Sequence, residues 1–128
     1  KNHEERFVEM RTFVITSLFV SYLFAQSIIG TWDMISPHTK EINGKDQVLI
    51  RHQYNTDGSF ESFIWHDGYF QYSGEGKYAT KNNRLHHTVE NETYFGKLDF
   101  PTDSSMTIKW DEEKSVLKFK RLPKKPDA

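Results

Sequence analysis

The stretch MRTFVITSLFVSYLFAQSIIGTWDM, residues 10–34, decides how the rest of the chain is interpreted. Met10 and Arg11 give it a short basic start, and residues 12–25 form an apolar run about as long as the core of an export signal. This run is shorter than the ~20 apolar residues that a membrane span needs. The sequence therefore predicts a signal segment that leads directly into a first β-strand.

The small residue Ala25 is the expected cleavage position, which makes Gln26 the first residue of the mature protein. Residues 1–9 are charged and unusual upstream of a signal, so we expect Met10 to be the natural start. The alternative is an apolar segment that is retained as a membrane anchor or packs on the domain. The chain divides into an extension with signal peptide at 1–25, one β-barrel domain at 26–122 and a flexible tail at 123–128.

The composition restricts both the fold and the class of function. Phe, Trp and Tyr make up 15% of the 128 residues, which is enough large apolar area for a core without cross-links. No cysteine is present, so the chain has neither disulfides nor thiolate metal sites. Export without disulfides favours a bacterial periplasmic or secreted location. The net charge of −1 argues against electrostatic binding of nucleic acid.

Downstream of Gln26, short apolar and aromatic runs alternate with turn residues, which is typical of an antiparallel all-β domain. Closing about eight sequential strands removes their exposed edges, so we predict an up-and-down β-barrel. A barrel of this size has room inside for side chains or for one small ligand. The predicted strands are 29–35, 48–54, 59–65, 69–74, 77–80, 84–90, 96–100, 105–110 and 116–121.

Three details of this assignment can be compared with a structure. The strands at 69–74 and 77–80 are adjacent and form a single strand if a bulge lies at residues 74–76. Pro101 is expected to end a strand because it lacks a backbone N–H. Residues 36–46 are the one long connection, and we expect them to form a lid or an open-end loop.

Gly30-Thr31-Trp32 resembles the Gly-x-Trp signature of lipocalins. The resemblance implies that Trp32 closes the barrel floor and packs under Arg121 from the last strand, with Gly30 as a structural residue. The middle of the chain looks like bacterial lipocalin-like domains, and the similarity covers roughly residues 28–121. The motifs that carry it are Asp57-Gly58-Ser59-Phe60, Tyr72-Ser73-Gly74-Glu75-Gly76-Lys77-Tyr78 and His86-His87-Thr88-Val89-Glu90.

The histidines of the last motif do not predict a metal site. Successive strand residues point to opposite faces, so His86 and His87 cannot share an ion. His86 and Glu90 share a face but lie about 13 Å apart. His87 is expected either to face the cavity as a lone polar anchor or to be a hydrogen-bonded barrel histidine. We expect no metal and no cofactor.

The aromatic residues exceed what one face of a small barrel needs. Phe63 and Trp65 lie on the face opposite Phe60, so a capping element or a partner covers the outer face, or the strand bulges. A homodimer is one way to cover it. Buried tyrosine hydroxyls need partners, which favours Tyr over Phe as a ligand contact. The expected ligand-binding residues are Tyr54, Phe60, Tyr72, Tyr78, His87 and Trp110.

The sequence thus predicts an exported, non-catalytic protein that binds a small hydrophobic molecule and contacts neither nucleic acid nor, after cleavage, a membrane. No cysteine nucleophile and no Gly-x-Ser-x-Gly motif is present, so no catalytic residue is assigned. Two alternatives stay open. One is an isomerase or cyclase that uses a cavity histidine with a tyrosine or glutamate, and the other is an envelope-interaction module whose barrel is filled.

Overall fold

A computed structural model describes residues 27–124 of the chain. The predicted signal peptide, its cleavage site and most of the tail lie outside the described residues. The described part is built from strands alone, and none of it is a helix that could cross a membrane. The strands are β1 (Gly30–Ser36), β2 (Thr39–Ile42), β3 (Lys45–Val48), β4 (Ile50–Tyr54), β5 (Ser59–His66), β6 (Tyr69–Lys81), β7 (Arg84–Val89), β8 (Glu92–Thr102), β9 (Ser105–Trp110) and β10 (Leu117–Arg121).

Eight of these strands form a closed antiparallel barrel in the order β1-β10-β9-β8-β7-β6-β5-β4. The first strand closes the ring because β1 pairs with β10 on one side and with β4 on the other. The predicted all-β, antiparallel, eight-stranded barrel is confirmed. Ile28, which precedes β1, and inward-facing strand residues form one core. The strand residues are Trp32, Met34, Tyr54, Phe60, Leu85, Leu98, Met106, Ile108 and Phe119.

Residues 36–46 do lie in the long connection between the barrel strands β1 and β4, as predicted, and His38 from this connection lines the cavity described below, but the connection is not a plain loop. This segment contains β2 and joins β3 in a separate two-stranded hairpin between β1 and β4. The turn between them is Asn43-Gly44, with φ angles of 53° and 77°. Positive φ at both positions belongs to the type I′ turn that matches the twist of a hairpin. The predicted strand at 48–54 is accordingly divided between β3 and β4.

The two strands predicted at 69–74 and 77–80 are one strand, β6, but its bulge lies at Ser73 rather than at residues 74–76. Ser62 of β5 faces Gly74, whereas the next residue, Phe63, faces Tyr72, which leaves Ser73 without a counterpart. The extra residue at a bulge shifts the inward–outward alternation of side chains by one position, so residues two apart across the bulge point to opposite faces of the barrel wall. Gly74 therefore lies on the inner face and Tyr72 on the outer face.

Pro101 does not end a strand as predicted, since β8 continues to Thr102. The register between β8 and β9 shifts between Asp99 and Thr102, so Pro101 lies in an irregular part of the ladder. A proline is tolerated there because the missing N–H is not needed for pairing.

One end of the barrel is closed by Trp32 and Arg121. The guanidinium carbon of Arg121 lies 4.3 Å from the centre of the Trp32 ring, and Trp32 is fully buried. Arg121 also donates to the backbone oxygens of Ser27 and Ile29 at 2.6 and 2.7 Å. These bonds fix the residues before β1 across the end of the barrel. Gly30 leaves room for them, because a Cβ there would lie 2.9 Å from Arg121 Nη1.

The aromatic residues on the outer face of β5 and β6 pack on one another and on an ion pair. Trp65 contacts Phe70 edge to face, and the Arg51 guanidinium lies 4.0 Å above the Phe70 ring. Arg51 also makes two hydrogen bonds to Asp33, at 2.6 and 3.1 Å. This cluster accounts for the apolar outer side of β5 within the described residues.

Candidate ligand-binding site

The opposite end of the barrel contains a cavity of about 800 Å³. Its walls are apolar and include Met34, Ile50, Val89, Trp110 and Leu117 from five different strands. Ligand pockets in proteins are usually apolar clefts of ~300–1,000 Å³ with a few convergent polar groups. The barrel is therefore filled at its closed end and hollow at the other.

His52 and His87 form the floor of this cavity, and Tyr54 lies beneath them. The Tyr54 hydroxyl is 2.7 Å from His87 Nε2 and 3.4 Å from His52 Nδ1. His52 and Tyr54 share a face because they are two residues apart on β4, and closure of the barrel brings His87 from β7 to the same level. A single buried hydroxyl thus connects the two imidazole rings.

Aromatic rings hold His87 in place from two sides. The Phe60 ring stacks on it with centroids 4.2 Å apart, and the Trp110 ring meets it edge-on at 4.7 Å. Phe60 can approach this closely because Gly76 faces it on β6, and Trp110 lies equally close to Gly96 on β8. The position of the floor is therefore set by packing on rigid strands.

Burial keeps both imidazoles neutral near pH 7. Loss of hydration lowers the pKa of His52 to about 4, and the pKa of His87 to about 3 with an added contribution from the neighbouring His52. Burial also raises the pKa of Tyr54 far above its ordinary value. The floor consequently presents uncharged hydrogen-bonding groups.

One ring nitrogen of each histidine is available to a ligand. Among residues 27–124, His52 Nε2 and His87 Nδ1 have no hydrogen-bond partner. In this part of the chain, every buried side-chain nitrogen or oxygen that is sealed from solvent has a hydrogen-bond partner. These two nitrogens therefore retain access to the cavity that the histidines line, although His87 is only 6% exposed.

The six predicted ligand-binding residues are not all at the cavity. His87 and Trp110 line it. Tyr54 and Phe60 lie behind the floor and support His87. Tyr78 donates to the backbone oxygen of Asn55 at 2.6 Å and lies below the floor, against Tyr54.

Tyr72 lies outside the cavity, contrary to the prediction. It is 57% exposed on the outer face and donates to Glu75 at 2.9 Å. The physical reason is the bulge at Ser73, which reverses the facing of the strand between Gly74 and Tyr72.

Sequence reasoning missed His52 and the residues at the mouth. His52 could have been found because it shares a strand face with Tyr54, two positions away. The acidic residues at the mouth come from the start of β8 and from the connection between β9 and β10, and they carry no local signal. They are Glu92, Asp111, Glu112 and Glu113.

The histidines do not form a metal site within the described residues, where no group of three or more suitable side chains is placed to hold an ion. His86 lies on the outer face against Phe95, with ring centroids 4.6 Å apart, while His87 faces inward. The two neighbours thus point to opposite sides of the barrel wall.

Replacing Gly76 by alanine is expected to destabilise the floor. A Cβ at this position would lie 2.5 Å from the Thr88 backbone oxygen and 2.8 Å from a ring carbon of Phe60. We expect Gly76→Ala to lower the free energy of unfolding by about 1–3 kcal/mol, the usual cost of overpacking. Gly74→Ala on the same strand is the matched control, because nothing lies within 4 Å of a Cβ there. Equal stability of both variants in urea denaturation would contradict this account.

Comparison with known proteins adds evidence on the fold. No protein-family model matches the chain, and no curated protein matches it in sequence. The chain is similar in structure to an uncharacterized protein from Bacteroides eggerthii, with a TM-score of 0.55 and 15% identity. The match covers 75% of this chain and all of the other. Similarity at this level supports the barrel fold alone.

Proposed function

We propose that this protein binds a small, largely apolar molecule inside the barrel. The observation that carries the proposal is the 800 Å³ cavity with aliphatic and aromatic walls and two neutral histidines on its floor. Apolar walls supply most of the binding free energy, and a few polar groups fix the orientation of the ligand. The lipocalin-like identity of the barrel and its export are part of the same proposal, supported by the Trp32–Arg121 contact and by the apolar residues 12–25.

The Tyr54–His87 pair is the one observation that favours an enzyme, because a tyrosine and a histidine in hydrogen-bond contact can exchange a proton. Their pKa values argue against this role. Efficient acid–base groups have a pKa near the working pH, whereas burial moves that of His87 to about 3 and raises that of Tyr54. Tyr54 also lies behind the floor and not in the cavity lining. Binding is therefore the better supported function.

The test uses the neutral fluorescent probe N-phenyl-1-naphthylamine, whose emission rises in an apolar site. We expect saturable binding with one site per chain. Leu117→Trp, which fills part of the cavity, should weaken binding by about tenfold or more, in line with the steric cost of overpacking.

Val116→Trp is the matched control, because Val116 is exposed and does not line the cavity. It should bind the probe as the unaltered protein does. If the probe does not bind, or if the two tryptophan variants bind it equally well, the cavity is not a binding site and the proposal fails.

A further inference from the structure

The mouth of the cavity carries charge of one sign. Glu92, Asp111, Glu112 and Glu113 contribute four carboxylates to its lining, and no lysine or arginine lines it. The chain as a whole has a net charge of only −1, so the acidic mouth is a local feature and not a consequence of composition.

Nearby cations neutralise only part of this charge. Arg84 forms an ion pair with Asp111, and Lys109 donates to the backbone oxygen of Glu113. Glu92, Glu112 and Glu113 have no ion-pair partner in the part of the chain that the structure describes. Glu92 accepts only a long hydrogen bond from the Tyr94 hydroxyl, at 3.5 Å, so the negative charge of all three carboxylates is left to attract a cation.

A separate observation at the floor points to a ligand that enters deeply. His87 is more than nine-tenths buried, and its Nδ1 has no hydrogen-bond partner among residues 27–124. This nitrogen is not sealed from solvent, so it faces the cavity and is within reach of a molecule that fills it. A molecule that fills the cavity therefore extends from the acidic mouth to the neutral floor.

We propose that the ligand is a hydrophobic amine, with its cationic group among Glu92, Glu112 and Glu113 and its apolar body against Trp110 and Leu117. This inference rests on the proposed binding function and specifies the ligand class. A cleft lined by one sign of charge with low-dielectric walls concentrates ligands of the opposite sign. Aromatic rings such as those of Tyr94 and Trp110 add attraction for a cation.

The same arrangement discriminates against anions. A carboxylate at the mouth would meet three like charges, and at the floor it would find neutral imidazoles in place of a cation. Like charges that are brought together by binding are a common source of specificity against the wrong ligand. Fatty acids and other apolar anions are thus the poorest ligands of this cavity.

The experiment compares three molecules with one apolar body: octylamine, 1-octanol and octanoate, each displacing N-phenyl-1-naphthylamine at pH 7.5. We expect the protonated amine to bind about tenfold or more tightly than the alcohol, and octanoate to bind more weakly than both. The ratio of amine to alcohol affinity should fall in 1 M salt, where the screening length drops from about 10 Å to about 3 Å.

The triple variant Glu92→Gln, Glu112→Gln, Glu113→Gln should bind amine and alcohol with similar affinity, because the amine loses its electrostatic advantage. Glu61→Gln, Glu75→Gln, Asp99→Asn is the control, since it changes the net charge equally at residues that do not line the cavity. Equal binding of amine and alcohol to the unaltered protein, or tighter binding of octanoate, would overturn the inference and leave the binding function intact. Failure of the probe itself to bind would instead refute the proposed function.

Discussion

Replacing Trp32 by alanine is expected to lower the free energy of unfolding by about 3–5 kcal/mol. The Trp32 ring is fully buried between Arg121 and Phe100, and its Nε1 donates to the Ile28 backbone oxygen at 2.8 Å. Truncation leaves a large cavity at the closed end and an acceptor without its donor. Urea denaturation followed by circular dichroism measures the loss without relying on tryptophan emission.

Two further variants distinguish the effect of losing buried packing at the closed end from the effect of losing an indole ring elsewhere. Trp32→Phe keeps most of the volume and loses the N–H donor, so we expect a smaller loss of about 1–3 kcal/mol. Trp65→Ala removes a partly exposed indole from the outer face and should cost less than Trp32→Ala. If Trp32→Ala and Trp65→Ala destabilise the protein equally, Trp32 does not close the barrel in the way described.

Acidification is expected to remove about 4–5 kcal/mol of stability between pH 7.5 and pH 4.5, from His52 and His87 together. The pKa of each is lowered in the folded state, to about 4 and about 3, from an ordinary value of 6.5. Between these values the unfolded chain binds protons that the folded chain does not. The contribution of the two histidines to the free energy of unfolding is thus fully present above pH 6.5. It is lost as the pH falls from 6.5 toward their pKa values in the folded state.

This loss approaches the lower end of the usual stability of a domain, which is about 5–15 kcal/mol, so we expect the midpoint of urea unfolding to drop steeply toward pH 4.5. The double variant His52→Gln, His87→Gln cannot titrate and should flatten this part of the curve, even if it is less stable at pH 7.5. His86→Gln on the outer face is the control for replacing a histidine that does not belong to the floor. A double variant with the original slope would show that other groups cause the acid sensitivity.

The strand pattern was predictable because each barrel strand repeats the same local alternation of apolar and polar residues. The hairpin of β2 and β3 was missed although Asn43-Gly44 is a strong local signal for a tight turn. Its strands are short and polar, with two apolar residues in eight, so the apolar pattern did not reveal them.

The site was less predictable because it depends on contacts between residues that are far apart in the sequence. Tyr54 and His87 are 33 positions apart, and only closure of the barrel brings the hydroxyl to the ring. The bulge at Ser73 has no distinctive sequence, yet it moves Tyr72 from the inner to the outer face. One inserted residue is enough to exchange a predicted cavity residue for a surface residue.

The hydroxyl shared by the two floor histidines has a consequence for recognition. Tyr54 has a single proton, so it can donate to one imidazole only and must accept from the other. If it donates to His87, the free nitrogen of His87 carries a hydrogen and that of His52 carries a lone pair. If it donates to His52, the two roles are exchanged. In either case the floor offers one donor and one acceptor, a pair that an amide or a hydroxyl group satisfies in either orientation.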